Sequence, residues 1–157
     1  MGLIYLDSCI LIYAIEDVSP RGDAVRARLA RTEDRLAISP LVMLECLVAP
    51  LRTDDLALRD RYTKTFERCD LIELGVPEHL RAAELRARHG LRTPDALHLA
   101  AAQLGGCTEL WTNDARLATA SQGLAADVVG EGFPIFTAKP DAAAITVDTV
   151  NENRDLD

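Results

Sequence analysis

Four acids stand out by their setting: Asp7 in "LIYLDSCILIY", Glu45 in "LVMLECLVAPL", Asp95 in "LRTPDALHLAAA" and Asp114 in "LWTNDARLA". Each interrupts or abuts an apolar run, where a carboxylate is costly to bury unless it is hydrogen-bonded, paired or neutralised. Each also has a local explanation. Asp7, Asp95 and Asp114 stand at helix starts, where a carboxylate can cap free N–H groups or favour the positive end of the helix dipole. Glu45 is the only charge between Leu41 and Leu51 and has Leu41, Leu44 and Val48 as helical neighbours. An ion pair with an arginine would satisfy it. The collective explanation is a shared pocket. Like charges repel by roughly 4 kcal/mol per pair at ~4 Å and an effective dielectric near 20. A hard divalent cation resolves that conflict, and all-oxygen ligation favours Mg²⁺ or Mn²⁺ over zinc. The chemistry of such a site is metal-assisted hydrolysis, in which the ion polarises a substrate oxygen and steadies the leaving oxygen.

The elements that must position these acids follow from short apolar runs alternating with longer helical patterns. Strands are expected at Leu3–Leu6, Leu36–Ser39, Asp70–Leu74 and Glu109–Thr112, with a fifth at Val128–Val129 or Pro134–Phe136. Helices are expected through "CILIYAIE", from about Gly22 to Thr32, and from a Ser39–Pro40 start to about Leu51. Further helices follow: an amphipathic one carrying Leu58, Tyr62, Phe66 and Cys69, one from Pro77 to Gly90, one capped by Thr93 with Pro94 in its first turn, and a short one from Asp114 to about Ala120. Apolar strands separated by helices predict an α/β fold, a three-layer α/β/α sandwich around a mainly parallel sheet of about five short strands. In such sheets ligands bind outside the carboxyl ends of the strands. Asp7 and Asp114 are placed there.

The chain has 157 residues, 48% of them hydrophobic, enough for one domain with a real core. Seventeen basic residues against 25 acidic ones give a net charge of −8, which does not suggest a general nucleic-acid coat. A local basic rim remains compatible with it. The cysteines Cys9, Cys46, Cys69 and Cys107 form no C-x-x-C pair and read as buried free thiols of a reducing compartment. The first segment lacks a basic n-region, and no run is long enough to span a membrane. A soluble, cytoplasmic protein is expected. Residues 1–136 read as one domain and 137–157 as an acidic C-terminal tail, partly disordered or docked.

The four segments together resemble the PIN-domain ribonucleases, specifically the VapC-type toxins of bacterial type II toxin–antitoxin pairs. "IYLDSCILIY" resembles the opening strand and aspartate of that family, and "ISPLVMLECL" its glutamate-bearing helix. "LRTPDALHLAAA" and "LWTNDARLA" resemble its later acidic motifs. The resemblance spans about Leu3 to Ala120. It implies a metal-dependent endoribonuclease (a hydrolase of RNA phosphodiester bonds) with Asp7, Glu45, Asp95 and Asp114 as catalytic and metal-site acids. It implies Ser8 and either Thr112 or Asn113 as supporting residues, Mg²⁺ or Mn²⁺ as cofactor, RNA as substrate, a small antitoxin as partner, and a homodimer. His98 is expected in the core, with Asp95 or a neighbouring strand as its partner. Arg92 and Arg116 are expected near the acids, either on RNA phosphates or in ion pairs. The alternatives are a catalytically silent PIN-like binding module and a haloacid-dehalogenase-like phosphatase. The latter needs an aspartate two residues after Asp7, where Cys9 stands, and a lysine near the site, whereas the lysines are Lys64 and Lys139.

Overall fold

The computed structural model describes residues 1–129. The elements run β1 (Leu3–Leu6), α1 (Ser8–Glu16), α2 (Pro20–Arg31), β2 (Arg35–Ile38), α3 (Pro40–Arg52), α4 (Leu56–Phe66), β3 (Asp70–Leu71), α5 (Val76–His89), α6 (Thr93–Leu104), β4 (Glu109–Trp111), α7 (Ala115–Ala120) and β5 (Ala125–Ala126). The strands form one sheet in the order β3-β2-β1-β4-β5, and every pairing is parallel. Helices cover both faces, giving the expected α/β/α sandwich. Parallel strands buried on both sides must be apolar throughout, and Ile4, Tyr5 and Leu6 are accordingly all buried.

β1 is the central strand, flanked by β2 on one side and β4 on the other. The chain turns in one direction from β1 to β2 and β3, then crosses back to β4. The gap between β1 and β4 is thus the switch point of the sheet, where open α/β folds place their ligands. The apolar run of α6 has a simple cause. Ala96 to Ala102 are all buried, so this stretch of the helix lies inside the protein and is apolar on every side except at His98. α5 packs along it. α5 ends at Gly90, whose φ of 67° is the left-handed conformation expected of a C-cap glycine.

Several boundaries differ from the sequence reading. β3 is two residues long, not the five from Asp70 to Leu74, because only Ala37 and Ile38 offer it pairing partners. The fifth strand is Ala125–Ala126, not Val128–Val129, and Pro134–Phe136 and the tail from 137 lie outside the described residues. Alanine has weak strand preference, so pairing with Leu110 and Trp111 imposes this edge strand. α2 starts at Pro20 rather than Gly22, with proline in the first turn. Gly22 instead serves close packing, since a Cβ there would lie 1.8 Å from the Asp17 carbonyl oxygen. Thr93 is the first residue of α6 and not its cap, and its hydroxyl accepts from Arg86 at 2.8 Å. Ser39 stands at the cap position of α3, but its side chain makes no capping bond and turns to Tyr5.

Candidate active site

Leu6 pairs with Trp111, so the residues that leave β1 and β4 emerge side by side. Asp7 prolongs the ladder, its amide donating to the Trp111 carbonyl at 3.0 Å. It also caps α1, with Oδ1 accepting from the Ser8 amide at 2.8 Å. Thr112 follows β4 and is wholly buried. Its hydroxyl donates to Asp7 Oδ2 at 2.7 Å and accepts from the Asp114 amide at 3.1 Å. One hydroxyl therefore ties the two strand ends together. Asp114 caps α7 in turn, its Oδ1 accepting from the amides of Arg116 and Leu117 at 2.8 and 3.1 Å.

The other two acids come from helices. Asp95 lies in the first turn of α6 and is buried. Arg92 Nε donates to its Oδ2 at 3.1 Å. Burial pushes the Asp95 carboxyl above its ordinary value, Arg92 pulls it back, and the charges of Asp114 and Asp7 add to the rise. The same contact with Asp95 pushes Arg92 up. Glu45 projects from α3 with 30% of its side chain exposed. Its apolar neighbours Leu44 and Val48 are themselves exposed, so Glu45 is not a charge sunk in a core. Its partner is not an arginine but His98, whose Nε2 lies 2.5 Å from Glu45 Oε1 and 3.6 Å from Asp7 Oδ1.

All four acids line one cavity of about 320 Å³, with Ser8, Arg92 and Asn113 on the same wall. Arg116 lines an adjoining hollow with Arg92, Asp95 and Asp114. Ser8 supports Asp7 through its backbone amide. Of the two polar candidates after β4, Thr112 touches Asp7, whereas Asn113 donates to the Tyr13 hydroxyl at 3.3 Å. Cys9 Sγ lies 3.6 Å from Asp7 Oδ2, and burial pushes that thiol far above its ordinary value. All four cysteines are free, Cys46 and Cys107 buried and Cys9 and Cys69 half-buried.

The donor set suits a hard cation. Among the described residues, Glu45 Oε2, Asp95 Oδ1 and Asp114 Oδ2 accept no hydrogen bond, while the other oxygen of each is held by a protein donor. These three acids are thus oriented and keep one oxygen in reserve, whereas both oxygens of Asp7 accept hydrogen bonds. Asp7, Glu45 and His98 place one ligand atom each within 4.8 Å of one another.

His98 lies in the core against strand β1 as expected, and what sequence reasoning missed is its second partner. It is 1% exposed, as a core histidine should be, but its ring turns to Glu45 rather than to Asp95. On the other side Nδ1 lies 2.7 Å from the Tyr5 hydroxyl. Burial opposes a charge on the ring, but the Glu45 hydrogen bond and the charges of Asp7, Glu45 and Asp95 together raise its pKa above the ordinary value. Glu45 and His98 are 53 positions apart, so no local spacing announces the pair. The available signal was that Asp95 and His98, three apart on α6, share a helix face.

A doubly wound α/β domain with an acidic cavity at its switch point is the class that this geometry defines. The PIN domain profile matches residues 4–122, and the chain belongs to that family. No curated protein sequence matches it. Similar solved structures include a toxin–antitoxin complex from Klebsiella pneumoniae, at 22% identity and a TM-score of 0.66 over 79% of this chain and 96% of that one. VapBC2 from Rickettsia felis, solved with a DNA fragment from its promoter, is 18% identical with a TM-score of 0.65 over 79% of this chain and 97% of that one. VapC20 of Mycobacterium tuberculosis, described as a sarcin–ricin loop cleaving toxin, is 15% identical with a TM-score of 0.65 over 74% and 94%. These structures share the fold. No helix among the described residues is long and apolar enough to cross a membrane.

Proposed function

We propose that this chain is a divalent-cation-dependent endoribonuclease acting as the toxin of a toxin–antitoxin pair. The observation that carries the reading is the convergence of Asp7, Glu45, Asp95 and Asp114, from four separate elements, on one cavity outside the carboxyl ends of β1 and β4. Asp7, Asp95 and Asp114 would hold Mg²⁺ or Mn²⁺, with Glu45 completing the set or directing water. A bound ion of this kind supplies positive charge that polarises the phosphate and stabilises the leaving oxygen.

The remaining work falls to the chain itself. Thr112 and the Ser8 amide fix both oxygens of Asp7, so its direction does not drift. Glu45 Oε2, which accepts no hydrogen bond among the described residues, would be the oxygen available to orient an attacking water or take up its proton. Arg92 is 58% exposed beside Asp95, and it and Arg116 form the rim cations that meet RNA phosphates. Choice of RNA over DNA rests on the family resemblance and on the neighbour described as a toxin that cleaves the sarcin–ricin loop.

The neighbours solved with antitoxins support a small protein partner, and the exposed apolar surface offers it a place. Leu44, Val48 and Leu51 are exposed on one face of α3, and Leu56 is exposed at the start of α4. Further along α4, Leu58 is half-buried and Tyr62 and Phe66 are buried, so the open apolar surface lies at its start. An arginine from such a partner could neutralise the acidic cavity with paired hydrogen bonds. The chain would also pair with itself.

The test is RNA cleavage with Mg²⁺ or Mn²⁺ and an EDTA control. Activity should vanish in EDTA and fall by orders of magnitude in Asp7→Ala, Glu45→Ala, Asp95→Ala and Asp114→Ala, each with its fold intact. Full activity in EDTA, or in any of the four variants, overturns the reading.

A further inference from the structure

A chain of buried hydrogen bonds runs from the middle of the sheet to the cavity. Ser39 Oγ lies 2.8 Å from the Tyr5 hydroxyl, and that hydroxyl lies 2.7 Å from His98 Nδ1. His98 Nε2 then lies 2.5 Å from Glu45 Oε1. Ser39 and Tyr5 are fully buried and His98 is 1% exposed. Phenylalanine and leucine would fill this space without any polar group to satisfy, so the core alone does not require the chain. Glu45 is the one member that reaches the cavity.

We propose that His98 is a positioning residue, which holds Glu45 in its working direction and is itself aimed by Tyr5 and Ser39. This inference rests on the reading of Glu45 as a member of the metal-holding set. In this arrangement both ring nitrogens of His98 are engaged, by Tyr5 and by Glu45, and His98 does not line the cavity, so the ring acts through Glu45. An ionised carboxylate only accepts hydrogen bonds, so Nε2 keeps its hydrogen toward Glu45 whichever way the proton near Nδ1 lies. Asp7 Oδ1 lies 3.6 Å from the same nitrogen, so the ring stands beside both acids. Without it, Glu45 would be a long, partly exposed side chain with several free rotamers on a helix surface.

Two substitutions separate the ends of the ring. The amide nitrogen of asparagine replaces Nδ1 and keeps a polar contact with Tyr5, whereas that of glutamine replaces Nε2 and keeps a donor for Glu45. The readout is the Kd for Mn²⁺ alone, measured by titration calorimetry on the full chain, with circular dichroism to verify folding. His98→Asn should weaken Mn²⁺ binding by about 10–100-fold, the usual effect of losing a partner that orients a ligand. His98→Gln should restore wild-type affinity. If His98→Asn fails to fold, Tyr5→Phe carries the test, since it keeps volume while removing the hydroxyl that aims the ring, and about a tenfold loss is expected. Wild-type affinity in His98→Asn or, failing that, in Tyr5→Phe overturns the proposal. So do equal losses in the asparagine and glutamine variants. Absence of Mn²⁺ binding in the wild-type chain would instead refute the metal reading of the site and take this inference with it.

Discussion

Replacing Asp95 by asparagine separates a metal-site acid from a helix-start acid. In EDTA the substitution gives up helix-dipole stabilisation of about 0.3–1 kcal/mol. It also loses the pair with the half-exposed Arg92, worth about 0–1 kcal/mol. Against this, it removes a buried charge and its repulsion with Asp114 and Asp7. Each such repulsion amounts to about 2 kcal/mol at a separation of ~8 Å and an effective dielectric near 20, less where water screens. Arg92 already offsets part of it. The balance favours asparagine by on the order of 1 kcal/mol, which for a chain of this size raises Tm by about 2–4 °C. Manganese should reverse the order. Ligand at 100 times its Kd stabilises the wild type by about 2.7 kcal/mol, whereas the variant has lost a ligand and gains less. Thermal melts of both proteins, each in EDTA and in saturating Mn²⁺, measure this directly. If Asp95→Asn melts below the wild type by the same margin in both conditions, Asp95 only supports its helix, and the reasoning fails.

Thr112→Val keeps the shape of a fully buried side chain but strips the hydrogen bond from Asp7 and the acceptor from the Asp114 amide. Denaturant unfolding should show a loss of about 1–3 kcal/mol, and RNA cleavage should fall with it. Unchanged stability would mean that the strand ends are not tied through this hydroxyl. Gly22→Ala should cost about 1–3 kcal/mol by the same assay, because the new methyl meets the Asp17 carbonyl at the α1–α2 crossing. Asp17 offers a check on pH. Hydrogen bonds from Ser19, then the Arg21 guanidinium, lower its carboxyl to about 2. A depressed carboxylate stabilises the fold above its unfolded value, and that contribution is lost as pH falls toward the folded one. The Asp17 carboxyl resonance should therefore titrate near 2, and Ser19→Ala should move it upward. A midpoint near the ordinary aspartate value in the wild type would refute the assignment.

The parts of this protein that sequence discloses are those governed by local rules. The apolar run Leu3–Leu6 had to be a buried strand, and Gly90 had to end a helix. Asp7, Asp95 and Asp114 were each readable twice, as helix-start residues and as site acids. At Asp114 the two readings can hold together. Asp7 and Asp114 cap helices with one oxygen, and Asp114 keeps the other clear. The parts that stayed hidden depend on distant pairing. Ala125–Ala126 is a strand only because β4 lies beside it. The bond from His98 to Glu45 joins α6 to α3 through the interior, and the exposure of Leu44 and Val48 depends on what α3 packs against. No periodicity in one helix reports such facts.

The central position of β1 has a consequence for how the protein is made. β2, which covers one edge of this strand, begins at residue 35, but β4, which covers the other, begins only at residue 109. At roughly 5–20 residues per second of synthesis, the second edge of "LIYL" waits about 4–15 s longer than the first for its neighbour. During that interval a ribosome-bound chain presents an unpaired apolar edge, the kind that recruits other strands. It also carries Asp7 without Thr112 to hold it. Glu45 and Asp95 can be in place by then, yet the cavity has no fourth wall. A cell making this protein therefore meets the folding hazard before the finished cavity, and any message truncated upstream of the β4 codons yields the first without the second.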